Sequence, residues 1–260
     1  SPGGPVQPAL NDAISDVNEV ATVTMEFDPT IAEGQPNRIK FYVYDATGAY
    51  ITRAALDSQG PKPVPHICLV CHGGIYDATD NDVIGGAFRE FDVFGFEFDE
   101  VHGFTKTNQE EAFRQLNAMV KATAPNADNA DDPIVDLIDG LYHPASVEVA
   151  GAVAVDTYVP DDTADPPNSW AVKPALYSTI VKKYCRACHI AQPNYIDFFN
   201  YGEFDGYKGS IDTDVCSSLE MPHAEAAFAN LWLSTDPAAA HYLADSITGL
   251  GFTDPTCPKP

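Results

Sequence analysis

Two copies of one five-residue pattern constrain this chain more than any other feature: Cys68-Leu69-Val70-Cys71-His72 and Cys185-Arg186-Ala187-Cys188-His189. With 6 Cys and 7 His among 260 residues, composition alone would supply such a string about 0.004 times, so two copies demand a chemical reason. Two thiols three positions apart can each form a thioether with a haem vinyl group, and the histidine that follows can ligate the iron. The pattern predicts two covalently bound c-type haems, held by Cys68 and Cys71 and by Cys185 and Cys188, with His72 and His189 as iron ligands. A zinc cage built from both cysteine pairs fits less well, because the separation far exceeds zinc-ribbon spacing and both histidines are left without a role. A thioredoxin-like redox pair would sit where a strand meets a helix. Pro61, Pro63 and Pro65 precede the first copy, however, and a helical pattern precedes the second.

The charge balance narrows the partners. Against 14 Lys and Arg stand 38 Asp and Glu, a formal charge of −24, which repels nucleic acid and anionic membrane surfaces and favours partner proteins with basic docking faces. No apolar run approaches the ~20 residues of a membrane span. The chain opens on Ser1-Pro2-Gly3-Gly4 without an initiator Met or an apolar leader, the expectation for an exported protein, extracellular or periplasmic, whose signal peptide has been removed. Outside the two motifs remain Cys216 and Cys257, an even pair expected to form a disulfide in an oxidising compartment, with two buried free thiols as the alternative. Closing that ~40-residue loop would stabilise the fold by roughly 3–4 kcal/mol.

Hydrophobic periodicity gives the organisation. Val23, Met25 and Phe27, then Ile39, Phe41 and Val43, alternate with period two and are followed by the turn-like Asp45-Ala46-Thr47-Gly48 and by Tyr50-Ile51-Thr52, which reads as a few antiparallel strands. After Phe104 the period becomes helical: Asn108 is the expected cap, with Glu111 three residues on, and Ala112, Phe113, Leu116, Met119 and Val120 are the expected apolar face, stopped by Pro125. Pro133 opens a second helix through Ile134, Val135, Leu137 and Ile138, with Gly140 expected just past its end. Ten carboxylates and no Lys or Arg lie between Lys121 and Lys173, and Pro160–Pro167 is the linker candidate. Pro174 begins a helix with Leu176, Ile180, Val181 and Tyr184 on one face, delivering Cys185 at its end beside a basic cluster of Lys182, Lys183 and Arg186. Helices are expected at Ala224–Ser234 and Pro237–Ile247. Glu110–Leu116 faintly echoes Glu225–Leu231, each about forty residues after its motif.

The expected fold is therefore mainly α with a small N-terminal antiparallel β segment and two haem units. Residues 1–60 would form an arm and the β segment, 61–160 the first haem unit and 161–260 the second. Calcium is a lesser expectation at the acidic loops Asp77–Asp82 and Asp128–Asp132, where clustered carboxylates suit a hard cation.

Both motifs, and Leu219-Glu220-Met221-Pro222-His223-Ala224 after the second, resemble the cytochrome c family. The resemblance implies cytochrome c-like haem units and places Met221, in a Met-Pro loop ahead of the last helices, as the distal ligand of the second iron, with His223 as competitor. For the first iron, His102 occupies the matching place between motif and helix, and Met119 is the alternative. His66, His143 or a ligand from another chain remain open, while His241 reads as surface or capping. The strings Cys71-His72-Gly73-Gly74, Phe88-Arg89-Glu90-Phe91-Asp92 and Leu116-Asn117 resemble exported, haem-containing proteins of environmental bacteria over most of residues 38–250.

The expected function is single-electron transfer outside the cytoplasm by a dihaem c-type cytochrome that is not an enzyme. The alternative is a peroxidase-like dihaem oxidoreductase with one open iron site, which it resembles in haem count alone. A riskier expectation concerns assembly. The Pro/Gly-rich arm at residues 1–10 would dock on a neighbouring identical subunit, and a head-to-tail contact that does not close would build a haem-conducting filament.

Overall fold

The computed structural model describes residues 11–55, 60–94, 96, 98–124, 132–160, 167–191 and 200–218, together with 231, 239, 242 and 243, the side chains of 216 and 217 aside. The arm at 1–10, the linker core at 161–166, the expected 224–234 and 237–247 helices apart from these four residues, and the Cys216–Cys257 pairing lie outside the described residues. Among those described, helices and small antiparallel sheets form two compact units, Ser1–Asp132 and Pro133–Pro260, each carrying one Cys-x-x-Cys-His motif. No helix among them is long and apolar enough to cross a membrane.

The first unit is built on strands β1 (Ala21–Phe27), β2 (Ile39–Asp45) and β3 (Tyr50–Ile51), hydrogen-bonded antiparallel in the order β1-β2-β3. Val23 pairs with Val43 and Met25 with Phe41, so period-two alternation turns Ile39, Phe41 and Val43 inward, where all three are buried. The β2–β3 turn is closed by Asp45, whose Oδ1 accepts the backbone N–H of Thr47 at 2.8 Å and of Ala49 at 3.1 Å, with Gly48 at φ 80°, a left-handed position that favours glycine. Two hairpins follow: β4 (Arg53–Ala54) pairs with β5 (Lys62–Pro63), and β6 (Ile75–Asp77) with β7 (Asp82–Ile84). Between the hairpins lies helix α1 (His66–His72). Asn37 binds β7 to the main sheet, donating its N–H to the Val83 carbonyl at 2.7 Å and accepting the Val83 N–H at 3.2 Å.

Ile39, Phe41, Leu69 and Val83 form one buried cluster, with Cys68 and Phe88 packed against it. The β segment and the first motif thus share a core. The two compact units divide at 132/133, whereas the expected boundaries lie at 60/61 and 160/161, and the shared core joins the β segment to the first motif.

Helix α2 (Lys106–Thr123) is capped by Thr105, whose hydroxyl accepts the Asn108 N–H, rather than by Asn108, whose amide donates to the Gly103 carbonyl at 2.9 Å. Its buried face is Arg114, Asn117 and Val120. Ala112 and Leu116 of the expected apolar face are exposed, and Met119 is 66% exposed.

The second unit opens with α3 (Pro133–Tyr142), which buries Ile134, Val135, Leu137, Ile138, Leu141 and Tyr142. Gly140 lies inside this helix instead of past its end, since a Cβ there would come within 2.0–2.6 Å of the Tyr158 ring; its role is close approach, not termination. A single 3-10 turn (Trp170–Val172) leads into α4 (Pro174–Leu176), a π-helical segment (Tyr177–Cys185) and α5 (Arg186–His189) in unbroken succession. Trp170, Leu176, Tyr177, Ile180, Val181 and Phe204 are the heart of this core. Helix α6 (Tyr201–Gly206) is capped by Asn200, which accepts the N–H groups of Gly202 and Glu203, and α7 (Lys208–Ile211) runs on into a further π-helical turn (Asp212–Ser217).

Candidate haem-attachment sites

In the first motif, positions i, i+3 and i+4 of α1 bring Cys68, Cys71 and His72 to one helix face. The helix ends at Gly73 (φ 67°), and Gly74 (φ 83°) passes so close to β7 that a Cβ there would lie 2.6 Å from the Ile84 carbonyl oxygen. Two glycines in succession let the chain leave α1 and return under its own end.

That return path fixes the histidine. The Ala87 carbonyl accepts from His72 Nδ1 at 2.9 Å, and the Ala87 N–H donates to the His72 carbonyl at 2.9 Å. A ring nitrogen facing a carbonyl carries the proton, which leaves Nε2 as the lone-pair nitrogen, the tautomer of an iron-binding imidazole. Burial holds the imidazole below its ordinary pKa, the Ala87 bond opposes that, and the Arg89 charge adds to it. The neutral, ligating form is favoured. The Phe41 ring lies 5.5 Å from the His72 ring, an apolar wall beside the imidazole.

Two residues further on, Arg89 Nη1 donates to the Cys71 carbonyl at 3.1 Å while its other nitrogens grip Glu90 at 2.8–3.0 Å. The Glu90 side chain is 2% exposed. Asn117, fully buried on α2, accepts the Phe91 N–H at 2.7 Å and donates to the Phe91 carbonyl at 3.0 Å. Residues 87–91 thus form a strap that runs from the motif's backbone to α2. Ala87, Arg89, Glu90 and Asn117 position this site, and sequence reasoning did not single them out by role. Asn117 offered a signal, an amide in the middle of an apolar helical run; Ala87 offered none, because a backbone carbonyl has no residue signature.

In the second motif Cys185 closes the π-helical segment and Cys188 and His189 lie on α5. Burial pushes the Cys185 thiol up to about 12, with the neighbouring Cys188 adding to it, and burial lowers the His189 imidazole. Arg186 is buried, with Nη1 3.0 Å from the Tyr177 hydroxyl. Tyr177 packs at 5.2 Å from Trp170, whose ring also meets Tyr201 at 5.4 Å and Phe204 at 5.3 Å. The expected basic cluster is therefore no uniform surface patch: Lys182 is held to the Asp156 carbonyl at 2.7 Å and its carboxylate, Arg186 points inward, and Lys183 alone of the three is exposed.

The remaining expected ligands fall in different places. His102 and Met119 belong to the first unit. His66, exposed at the start of α1, has its ring edge-on to Tyr76 at 4.8 Å. His143 is exposed after α3. Met221, His223 and His241 lie outside the described residues. In the expected calcium loop at 77–82, Asp77 accepts the Thr79 N–H at 2.8 Å within the β6–β7 turn; most of 128–132 lies outside the described residues.

Cys68, Cys71, Cys185 and Cys188 are not joined in disulfides. Among the described residues no three His, Cys, Asp or Glu side chains converge on a point where a bare ion could sit. A haem asks for no such convergence: it takes thiols at its edge and an imidazole at its centre. The residues present fit that group. Comparison of the chain with protein-family models, with curated proteins and with solved structures finds no match.

Proposed function

We propose that this chain is a dihaem c-type electron carrier that works outside the cytoplasm and hands single electrons to partners with basic docking faces. The observation that carries the proposal is the setting of His72. It shares one helix face with the Cys68 and Cys71 thiols, its Nδ1 is committed to the Ala87 carbonyl, and burial lowers its pKa. That is the donor set and tautomer an axial ligand needs. A haem at each motif would supply one-electron redox chemistry at its iron. Cys68 and Cys71, and Cys185 and Cys188, would hold the two groups covalently, with His72 and His189 on the irons. The clusters around Phe41 and Trp170 would keep water from the two sites, and Arg89, Glu90 and Asn117 would hold the first motif's backbone. The charge of −24 would steer basic partners toward the protein, more weakly as salt rises. The test is intact-mass spectrometry of the protein expressed with haem-attachment machinery. Two haem additions per chain are expected; a haem-free chain with stoichiometric zinc overturns the proposal.

A further inference from the structure

Strand β1 ends the main sheet in an edge without the usual guards. Natural sheets blunt an edge with a short strand, a bulge, Pro or Lys, because open main-chain groups are a template for another strand. All seven residues of β1 pair with β2 without a bulge, and none is Pro or Lys, whereas the opposite edge, β3, is two residues long. The Asp28 N–H donates to the Arg38 carbonyl at 2.9 Å and continues the β1–β2 ladder. Alternation then turns the main-chain groups of Thr22, Thr24 and Glu26 to β2, and those of Ala21, Val23, Met25 and Phe27 to the open side. Among the described residues no backbone hydrogen bond reaches these four from that side. The side chains agree. Val43 is 0% exposed, with Ile51 beyond it on β3, but its partner Val23 has no neighbouring strand beyond it and is 50% exposed.

We infer that two copies of this chain join through β1, antiparallel about a two-fold axis at Thr24, so that the three strands of each copy form one continuous sheet. Of the antiparallel registers, this one pairs all four open residues: Val23 with the second copy's Met25, and Ala21 with its Phe27. Each such pair exchanges two main-chain hydrogen bonds. The inner faces also run on into one another, and the second copy's Met25 covers the open flank of Val23. Charge favours the same arrangement. Glu26, the one charged residue of the strand, accepts the Tyr42 hydroxyl at 2.9 Å and lies 4.0 Å from Lys40. At the Phe27 end Lys40 and Arg38 balance Glu26 and Asp28, whereas at the Ala21 end no Lys or Arg occurs within 11–22 or 41–52 to balance Glu19 and Asp45. Antiparallel pairing sets each acidic end beside a balanced one, and parallel pairing would set acid against acid. The contact uses the same patch on both copies, so it closes as a dimer and does not itself propagate a filament. It does not depend on haem attachment.

Sedimentation velocity of the full chain over a concentration series, with and without added salt, tests the dimer. A monomer–dimer equilibrium is expected. Because each copy carries a formal charge of −24, salt is expected to tighten it by screening repulsion, the reverse of its effect on a basic partner. Val23→Lys is expected to weaken dimerisation about ten-fold or more, since it sets like charges across the two-fold axis and buries each against Met25. Thr24→Cys reports the register. Directly opposed residues of a non-hydrogen-bonded pair have Cα atoms about 4.5 Å apart, within disulfide reach, so mild oxidation is expected to give a covalent dimer whose bridge, mapped by peptide mass spectrometry, joins position 24 to itself. Thr22→Cys, which would face the second copy's Glu26, is expected to form no such bridge. A chain that stays monomeric at every concentration overturns the inference. So does an open polymer, a dimer indifferent to Val23→Lys, or a dimer in which Thr24→Cys stays uncrosslinked.

Discussion

The two motifs share one spelling and are built into the protein by opposite means. The first sits on a seven-residue helix against a β-sheet and is held from outside by hydrogen bonds that each engage a main-chain atom: the Ala87 carbonyl on His72, the Arg89 side chain on the Cys71 carbonyl, the Asn117 amide on the strap between them. The second grows out of a helical run and is held from inside by side chains, through Tyr177, Trp170 and Phe204. The contrast is sharpest at the first variable position. Leu69 there joins the Ile39–Phe41–Val83 cluster, whereas Arg186 is buried with its guanidinium on the Tyr177 hydroxyl. A position the chemistry of attachment leaves free is in both cases the anchor, once by apolar area and once by a hydrogen bond.

If the two sites are independent, emptying one should leave the other intact. Cys68→Ala with Cys71→Ala is expected to remove one haem addition from the intact mass and to leave the second; loss of both would mean that the first unit must be loaded before the second can be, and would break the comparison. A finer distinction is between anchors. Leu69→Ala is expected to destabilise the first unit by about 2–5 kcal/mol, the range for a buried leucine. Arg186→Met is expected to cost the second unit less, about 1–2 kcal/mol, because the lost hydrogen bond is partly offset by removal of a buried charge. Chemical denaturation followed unit by unit measures both, and a larger loss at Arg186 would reverse the ranking.

The smallest effect concerns acid. Asp28, Asp45 and Asp77 in the first unit are held below the usual carboxylate range, the first two chiefly by the hydroxyls of Thr30 and Thr47 and the third by the Thr79 N–H. A depressed folded pKa gives stability that is present above the unfolded value of about 3.9 and is lost as pH falls through the folded one. The melting temperature of the first unit should therefore drop below about pH 4. The triple change Asp28→Asn, Asp45→Asn and Asp77→Asn, which keeps a side-chain acceptor at each turn, should flatten that drop; an unaltered acid profile would remove these turns from the account.

Much of the fold was legible because it follows from period. Ile39, Phe41 and Val43 alternate and are buried, and the helices that became α2 and α3 announce themselves by spacing. The faces were harder. Leu116 and Met119 look like core and are exposed, while Asn117 looks like surface and is buried, because a side-chain amide that can clamp both polar groups of Phe91 outweighs an apolar one at that place. Gly140 reads as a stop signal until Tyr158, eighteen residues away in sequence, is known to lie against it. The two motifs stand out by residue identity and spacing alone. The strap was not, since its contacts run through main-chain atoms common to every residue, and the π-helical approach to Cys185 has no periodicity that separates it from an ordinary helix.

The strap also sets a timetable. A chain made from its N-terminus presents Cys68, Cys71 and His72 before Ala87 and Arg89 exist to close over them, and before Asn117 can pin Phe91. For that interval the strap does not yet cover the first pair of thiols. The second pair arrives with Trp170 and Tyr177 already made, while Phe204 of the same core is still to follow. Attachment at either motif, where it occurs, would begin before that site's surroundings are complete.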